Sequence, residues 1–319
     1  MSANRQAGRT VFFFLSSQPN DCIGGCRHNT FTQDDLYVFV DILVLVQVPD
    51  DAEAKSLPDG RAFEIHMRGS QTVLKKSTDI SLSPGDYIIT PKHPLVTICV
   101  SDELYIDRVL SHSVTPRDSA FRNALRQRDR GCVITGVVND DDNDWTGMEA
   151  AHIWPLSNGS EWIRQNASRW ITDSDSDSDD LSNELKMNSP QNGILVSSTA
   201  HILFDSYTLA INPEAGYRIY DFGRNKFGYG GKFMSATARQ SNNNNGARDT
   251  LLLWHFRQCV LANMRGAGEP LWDYSPREEG DVVGRLLSSD HTMTRLGEEV
   301  EARLALTSYL PSPSLTNDQ

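Results

Sequence analysis

The chain has 319 residues, 39% apolar and 23% charged, an ordinary globular composition with length for about two domains at roughly 150 residues each. Its 42 acidic residues against 30 Lys plus Arg give a formal charge of −12, which excludes a basic coat over the whole surface and confines any nucleic-acid contact to a local patch. The longest apolar run, Tyr37 to Val48, contains Asp41 and falls well short of the roughly 20 residues that span a bilayer, so no membrane partner is expected.

Residues 1–110 read as a β-rich module of unknown function. Val11 to Leu15, Tyr37 to Val48, Ala62 to Met67, Asp86 to Thr90 and Leu95 to Val100 are apolar or alternating segments, punctuated by turn signals such as Pro58-Asp59-Gly60 and Pro84-Gly85. Tyr37 to Val48 is expected as one long strand or two short ones. A helix starts after Pro116, capped by Asp118 or Ser119, with Phe121 and Leu125 on one face and Gly131 at its end. A short strand is expected at Cys132 to Thr135, followed by a turn at Gly136. The polar run from Thr172 to Glu184 cannot bury enough apolar surface to fold alone and reads as a disordered acidic insertion. It lacks the Gly and closing Glu that an EF-hand loop needs to hold calcium. Tyr207 to Ile211 and Tyr217 to Tyr220 flank Asn212-Pro213-Glu214-Ala215-Gly216 as a hairpin. Residues 224–319 then supply a polar linker, a helix over Leu251 to Met264 with Leu252, Phe256, Cys259 and Val260 on one side, and a flexible tail.

Five scattered cysteines, Cys22, Cys26, Cys99, Cys132 and Cys259, form no disulfide framework. With an apolar stretch at Val11 to Leu15 too short for a signal peptide, they predict an intracellular protein of the cytoplasm or nucleus. Cys22 and Cys26 have His28 nearby but no second pair at zinc-finger spacing, so they read as free thiols.

Three polar groups stand in apolar surroundings: Ala150-Ala151-His152-Ile153-Trp154-Pro155, Asn192-Gly193-Ile194-Leu195-Val196, and Ser198-Thr199-Ala200-His201-Ile202-Leu203-Phe204-Asp205. Pro155 stops a strand soon after His152, Ile194 to Val196 makes a second strand, and Ser197, Ser198 or Thr199 caps a helix through Asp205. On that helix His201 and Asp205 are four apart, on one face, where a divalent cation can bridge them. Imidazole plus carboxylate suits magnesium, manganese, nickel or zinc without distinguishing them, and leaves the open positions that hydrolysis needs. His152 is the candidate base. Singly, each residue has a plainer reading: a half-buried histidine, a turn at Asn192-Gly193, a helix-terminal aspartate.

Together with Cys132-Val133-Ile134-Thr135-Gly136 and Glu149-Ala150-Ala151-His152-Ile153, these motifs resemble, in order, those of HNH endonucleases, above all a subgroup found in many fungal predicted proteins. The resemblance covers roughly residues 117–223. It implies a ββα-metal nuclease domain over that stretch and says nothing of the rest; with the β-rich module before it and the C-terminal helix after it, the chain is expected to be an α+β protein. The resemblance also implies that His152 ends the first strand as general base, that Asn192 holds the loop and orients His152, and that His201 binds one divalent cation. Helical spacing offers Asp205 as the second ligand, with Glu149 the weaker candidate because it lies three residues from His152 along the strand. Ala151 stands where many HNH nucleases carry an Asp or His ligand, and Cys132 has no CxxC partner for a structural zinc. The expected activity is phosphodiester hydrolysis, with DNA as the substrate. The alternative is a non-catalytic binding or regulatory protein that keeps the fold. The best basic patch for phosphates is the helix before Cys132, with Arg122, Arg126 and Arg130 as the expected contacts beside Arg117 and Arg128.

Overall fold

The computed structural model describes residues 3–4, 8–28, 30–48, 61–75, 80–106, 108, 116–173, 186–239, 245–266 and 270–271. Most of the acidic run, much of the Asn-rich linker and the C-terminal tail lie outside these residues. Helices and strands are mixed. Among the described residues no helix is long and apolar enough to cross a membrane.

The N-terminal segments are β1 (Ala3–Asn4), β2 (Val11–Leu15), β3 (Gln18–Cys26), α1 (Gln33–Leu43), β4 (Val44–Gln47), β5 (Phe63–Met67), β6 (Gly85–Pro91) and β7 (Thr97–Val100). A four-stranded sheet runs in the order β3-β2-β6-β5, with β2 parallel to β6 and the other pairs antiparallel. β4 pairs with β7 beside it.

The run expected as strand from Tyr37 is instead mostly helix. Thr32 caps α1, its side chain accepting from the Asp35 N–H while the Asp35 carboxylate takes the Thr32 N–H. This reciprocal box satisfies two backbone donors that a helix start otherwise leaves bare. Leu36, Tyr37, Phe39, Val40 and Leu43 then fall at helical spacing and are all buried. Only Val44–Gln47 is extended.

The second half brings α2 (Pro116–Asp129), β8 (Met148–His152), the short α3 (Gly159–Arg164), β9 (Gly193–Ser197), α4 (Ser198–Asp205), the hairpin β10 (Leu209–Asn212) with β11 (Arg218–Asp221), α5 (Asp249–Met264) and β12 (Pro270–Leu271). Phe121 and Leu125 of α2 are buried against Leu195. The strand expected at Cys132 to Thr135 is a turn. Gly136, at φ 77°, folds back so that its N–H reaches the Cys132 carbonyl at 2.9 Å, and the Val133 N–H goes to Leu195. Cys132 is buried, its Sγ accepting the Thr135 N–H.

Two large apolar clusters form. One joins the N-terminal sheet and α1 to Tyr207, Ala210, Tyr220, Phe222 and the last two turns of α5. The other joins β8, β9 and α4 to Trp154, Trp162, Leu251, Leu252 and Trp254. Because α5 lies between them, it is buried on nearly every side rather than along the single stripe that its pattern suggests. Asp35 adds a polar tie, receiving Arg218 at 2.7 Å and the Tyr220 hydroxyl at 2.7 Å.

Candidate functional site

β8 and β9 form an antiparallel ribbon in which His152 pairs with Gly193 and Glu149 with Val196. α4 follows β9 directly, Ser197 capping it by accepting the Ala200 N–H. Residues an odd number apart on a strand face opposite ways. His152 therefore lies on the α2 side, its ring stacked on Phe121 at 4.0 Å and 5° from parallel, while Glu149 lies on the α4 side against His201.

On α4 the expected pair meets: His201 Nε2 is 3.1 Å from Asp205 Oδ2. Its other nitrogen, Nδ1, is 2.5 Å from Glu149 Oε2. Burial opposes a charge on this imidazole, but the hydrogen bonds to Asp205 and Glu149 outweigh it and raise the pKa to about 9. Burial likewise opposes the Asp205 carboxylate, yet Arg108 and His201 bring its pKa down to about 2. The hydrogen bond from His201 lowers Glu149 as well.

Arg108 carries a signal that composition and motif spacing do not reveal. Its guanidinium, 5% exposed, sits 2.9 Å from Asp205 Oδ1 and donates to the carbonyls of His152 at 2.6 Å and Ile153 at 3.1 Å. It thereby ties the end of β8 to the end of α4. Behind α4, His255 stacks on Phe204 at 3.7 Å and is within 3.2 Å of its carbonyl. Burial and Arg108 push the His255 pKa well down, so this ring is neutral.

Asn192 is fully buried and its amide is taken up by main chain. Oδ1 accepts the Trp154 N–H at 2.8 Å, and Nδ2 donates to the carbonyls of Trp154 and Met187. It holds the loop after His152. The side chain at His152 Nε2 is Asn188, whose Oδ1 lies 3.0 Å away. Asn188 is a site residue that the motif reading passed over, since nothing in its local sequence sets it apart from loop.

The α2 arginines divide by environment. Arg126 lies over the Trp145 ring at 5.0 Å, its pKa lowered by burial and by Arg122. Arg130 follows the helix at φ 58° and pairs with Asp142 at 3.2 Å in the open. Arg128, counted in the patch by sequence, is buried: it grips Asp129 and donates to the carbonyls of Pro190, Gly193 and Asn245. It braces the β9 start and is not presented to phosphates.

In this structure His201 meets a carboxylate at each ring nitrogen, so a divalent cation at Nε2 would have to displace the ring proton there. Nε2 and Asp205 Oδ2 face each other, and a carboxylate on the second ring nitrogen is the arrangement that orients metal-binding imidazoles. Among the described residues no group of three or more His, Cys, Asp and Glu is placed to hold an ion.

Residues 132–212 match the family model of the HNH endonucleases, a segment that includes His152, Asn192, His201 and Asp205. No curated protein and no solved structure matches the chain.

Proposed function

We propose that this chain is a metal-dependent endonuclease that hydrolyses phosphodiester bonds in DNA, with residues 117–223 as the nuclease unit and β8, β9 and α4 as its ββα-metal element. The observation that carries this reading is the His201 cluster, a carboxylate-flanked imidazole inside the segment that matches the HNH endonuclease family.

His201 Nε2 and Asp205 would hold the cation, with Glu149 fixing the ring through Nδ1. A divalent cation bound there supplies a Lewis acid that neutralises charge building on the scissile phosphate. His152 is the base in this reading; its ring lies on the α2 face of the ribbon, so it must reach the attacking water around the end of β8, of which it is the last residue. With Asn188 Oδ1 accepting from Nε2–H, the neutral tautomer carries its lone pair on Nδ1. Phe121 stacking fixes the ring plane, and Arg108 fixes the backbone that carries it. Asn192 keeps the following loop in place.

Supercoiled-plasmid nicking with magnesium, manganese, nickel and zinc in turn tests the proposal. Metal-dependent nicking that is lost in His152→Ala and His201→Ala is the expected result. A folded wild-type chain that cuts neither plasmid nor single strands with any of these metals would sink it, leaving the non-catalytic binding protein, which Ala151 at a usual ligand position allows.

A further inference from the structure

The span from Phe222 to Arg248 contains Arg224, Lys226, Lys232, Arg239 and Arg248 and not one Asp or Glu, in a chain whose net charge is −12. Its first part, Gly-Arg-Asn-Lys-Phe-Gly-Tyr-Gly-Gly-Lys-Phe from 223 to 233, interleaves cations with aromatic rings. The loop is pinned to the β10–β11 hairpin. Gly231 N–H reaches the Ile219 carbonyl at 2.8 Å, Ile219 N–H reaches Lys232 at 2.7 Å, and Met234 N–H reaches Tyr217 at 3.0 Å. Asn225 closes it internally, accepting Gly230 N–H on its side chain at 2.9 Å and Gly228 N–H on its carbonyl at 3.0 Å.

On this fixed frame Phe227 is 46% exposed and Phe233 58% exposed, while Arg224, Lys226 and Lys232 are also at the surface. Phe227 stacks on Tyr229 at 5.7 Å, and Lys226 Nζ sits 5.6 Å from its ring. Arg27 approaches from the N-terminal sheet; its pKa is lowered by burial and by the charge of Arg224. A single exposed ring is ordinary for a protein surface. Exposed rings on a loop whose own charges are all cationic are the combination that tracks a phosphate backbone and stacks unpaired bases.

We propose that the 223–233 loop is a docking surface for single-stranded nucleic acid, with Phe227 and Phe233 as stacking platforms and Arg224, Lys226 and Lys232 as phosphate contacts. The inference rests on the nucleic-acid substrate class put forward above and names the strand form that this surface takes. The exposed rings favour a single strand over duplex, whose bases are already stacked.

Fluorescence anisotropy with a labelled 12-nucleotide oligothymidylate and a hairpin duplex, in EDTA and over a range of salt, separates this surface from catalysis. Wild type should prefer the single strand. Phe227→Ala with Phe233→Ala should weaken it by roughly 10-fold or more with little change in salt slope. Lys226→Ala with Lys232→Ala should reduce the magnitude of the log–log salt slope by about 1.4, at about 0.7 per phosphate contact. Binding that both double variants leave unchanged, a wild type that prefers duplex, or no binding to either probe overturns the proposal. Variant-sensitive binding by a protein that nicks nothing upholds the docking surface while the nuclease reading fails.

Discussion

Arg108 and Asp205 form an ion pair at 2.9 Å in which the guanidinium is 5% exposed and the carboxylate side chain 14%. The same guanidinium donates to the His152 carbonyl, so one side chain fixes the distance between the strand carrying the candidate base and the helix carrying the candidate ligands. Removing one member of such a pair leaves the other charge buried and unmatched. Arg108→Ala should therefore destabilise the protein by about 3 kcal/mol in urea denaturation. Arg108→Lys should recover only part of this, because an ammonium cannot span the carboxylate and two carbonyls at once. A loss under about 0.5 kcal/mol would mean the pair is solvated in solution.

The His201 cluster ties stability to pH from both sides. The His201 pKa of about 9 lies above its ordinary 6.5, so its contribution is fully present below about pH 6.5 and fades as pH rises through 9. Asp205, at about 2 against an ordinary 3.8, contributes fully above about pH 4, and that contribution fades as pH falls through 2. Midpoints of urea unfolding measured from pH 5 to 10 should fall between 7 and 9.5 in wild type, and this alkaline limb should flatten in His201→Gln. An identical limb in both would assign it to other groups.

Asn188 and Asn192 should behave differently. Asn188 is half-buried and bonds the His152 ring at 3.0 Å, so Asn188→Ala should lower kcat for nicking by roughly 10- to 100-fold with KM and melting temperature nearly unchanged. Asn192→Ala strands the Trp154 and Met187 main-chain groups and should cost about 2–4 kcal/mol of stability before activity is considered. Equal effects of the two variants on unfolding would contradict this division of labour.

Much of this centre was legible in the residues because its signals are local. The i, i+4 spacing of His201 and Asp205, the Ser197 cap and the stop at Pro155 each state their geometry within one turn of chain. The same holds for the hairpin around Gly216, at φ 68°. What was hidden is carried by long-range contacts: Arg108 reaches 97 positions along the chain to Asp205, and Asn188 reaches 36 back to His152. The α1 error has another cause. Val, Ile, Phe and Tyr in Tyr37 to Val48 favour strands, but the Thr32–Asp35 box and the buried spacing from Leu36 to Leu43 decide for helix, and that box lies just ahead of the apolar run.

Gly193 is the backbone partner of His152, and its place there is steric. A Cβ at 193 would run into the ring of Phe121 and come within 2.9 Å of Leu125 Cδ1, the face that holds the His152 imidazole. Gly193→Ala should push α2 off the β8–β9 ribbon, costing about 1–3 kcal/mol, with nicking reduced more than that loss of folded protein explains, because the Phe121 ring stacked on the candidate base must move. A second change that makes room, Phe121→Leu in the Gly193→Ala background, should restore stability in part but not activity, since a leucine cannot stack on the imidazole. Full recovery of nicking in that double variant would show that ring stacking is not what positions His152.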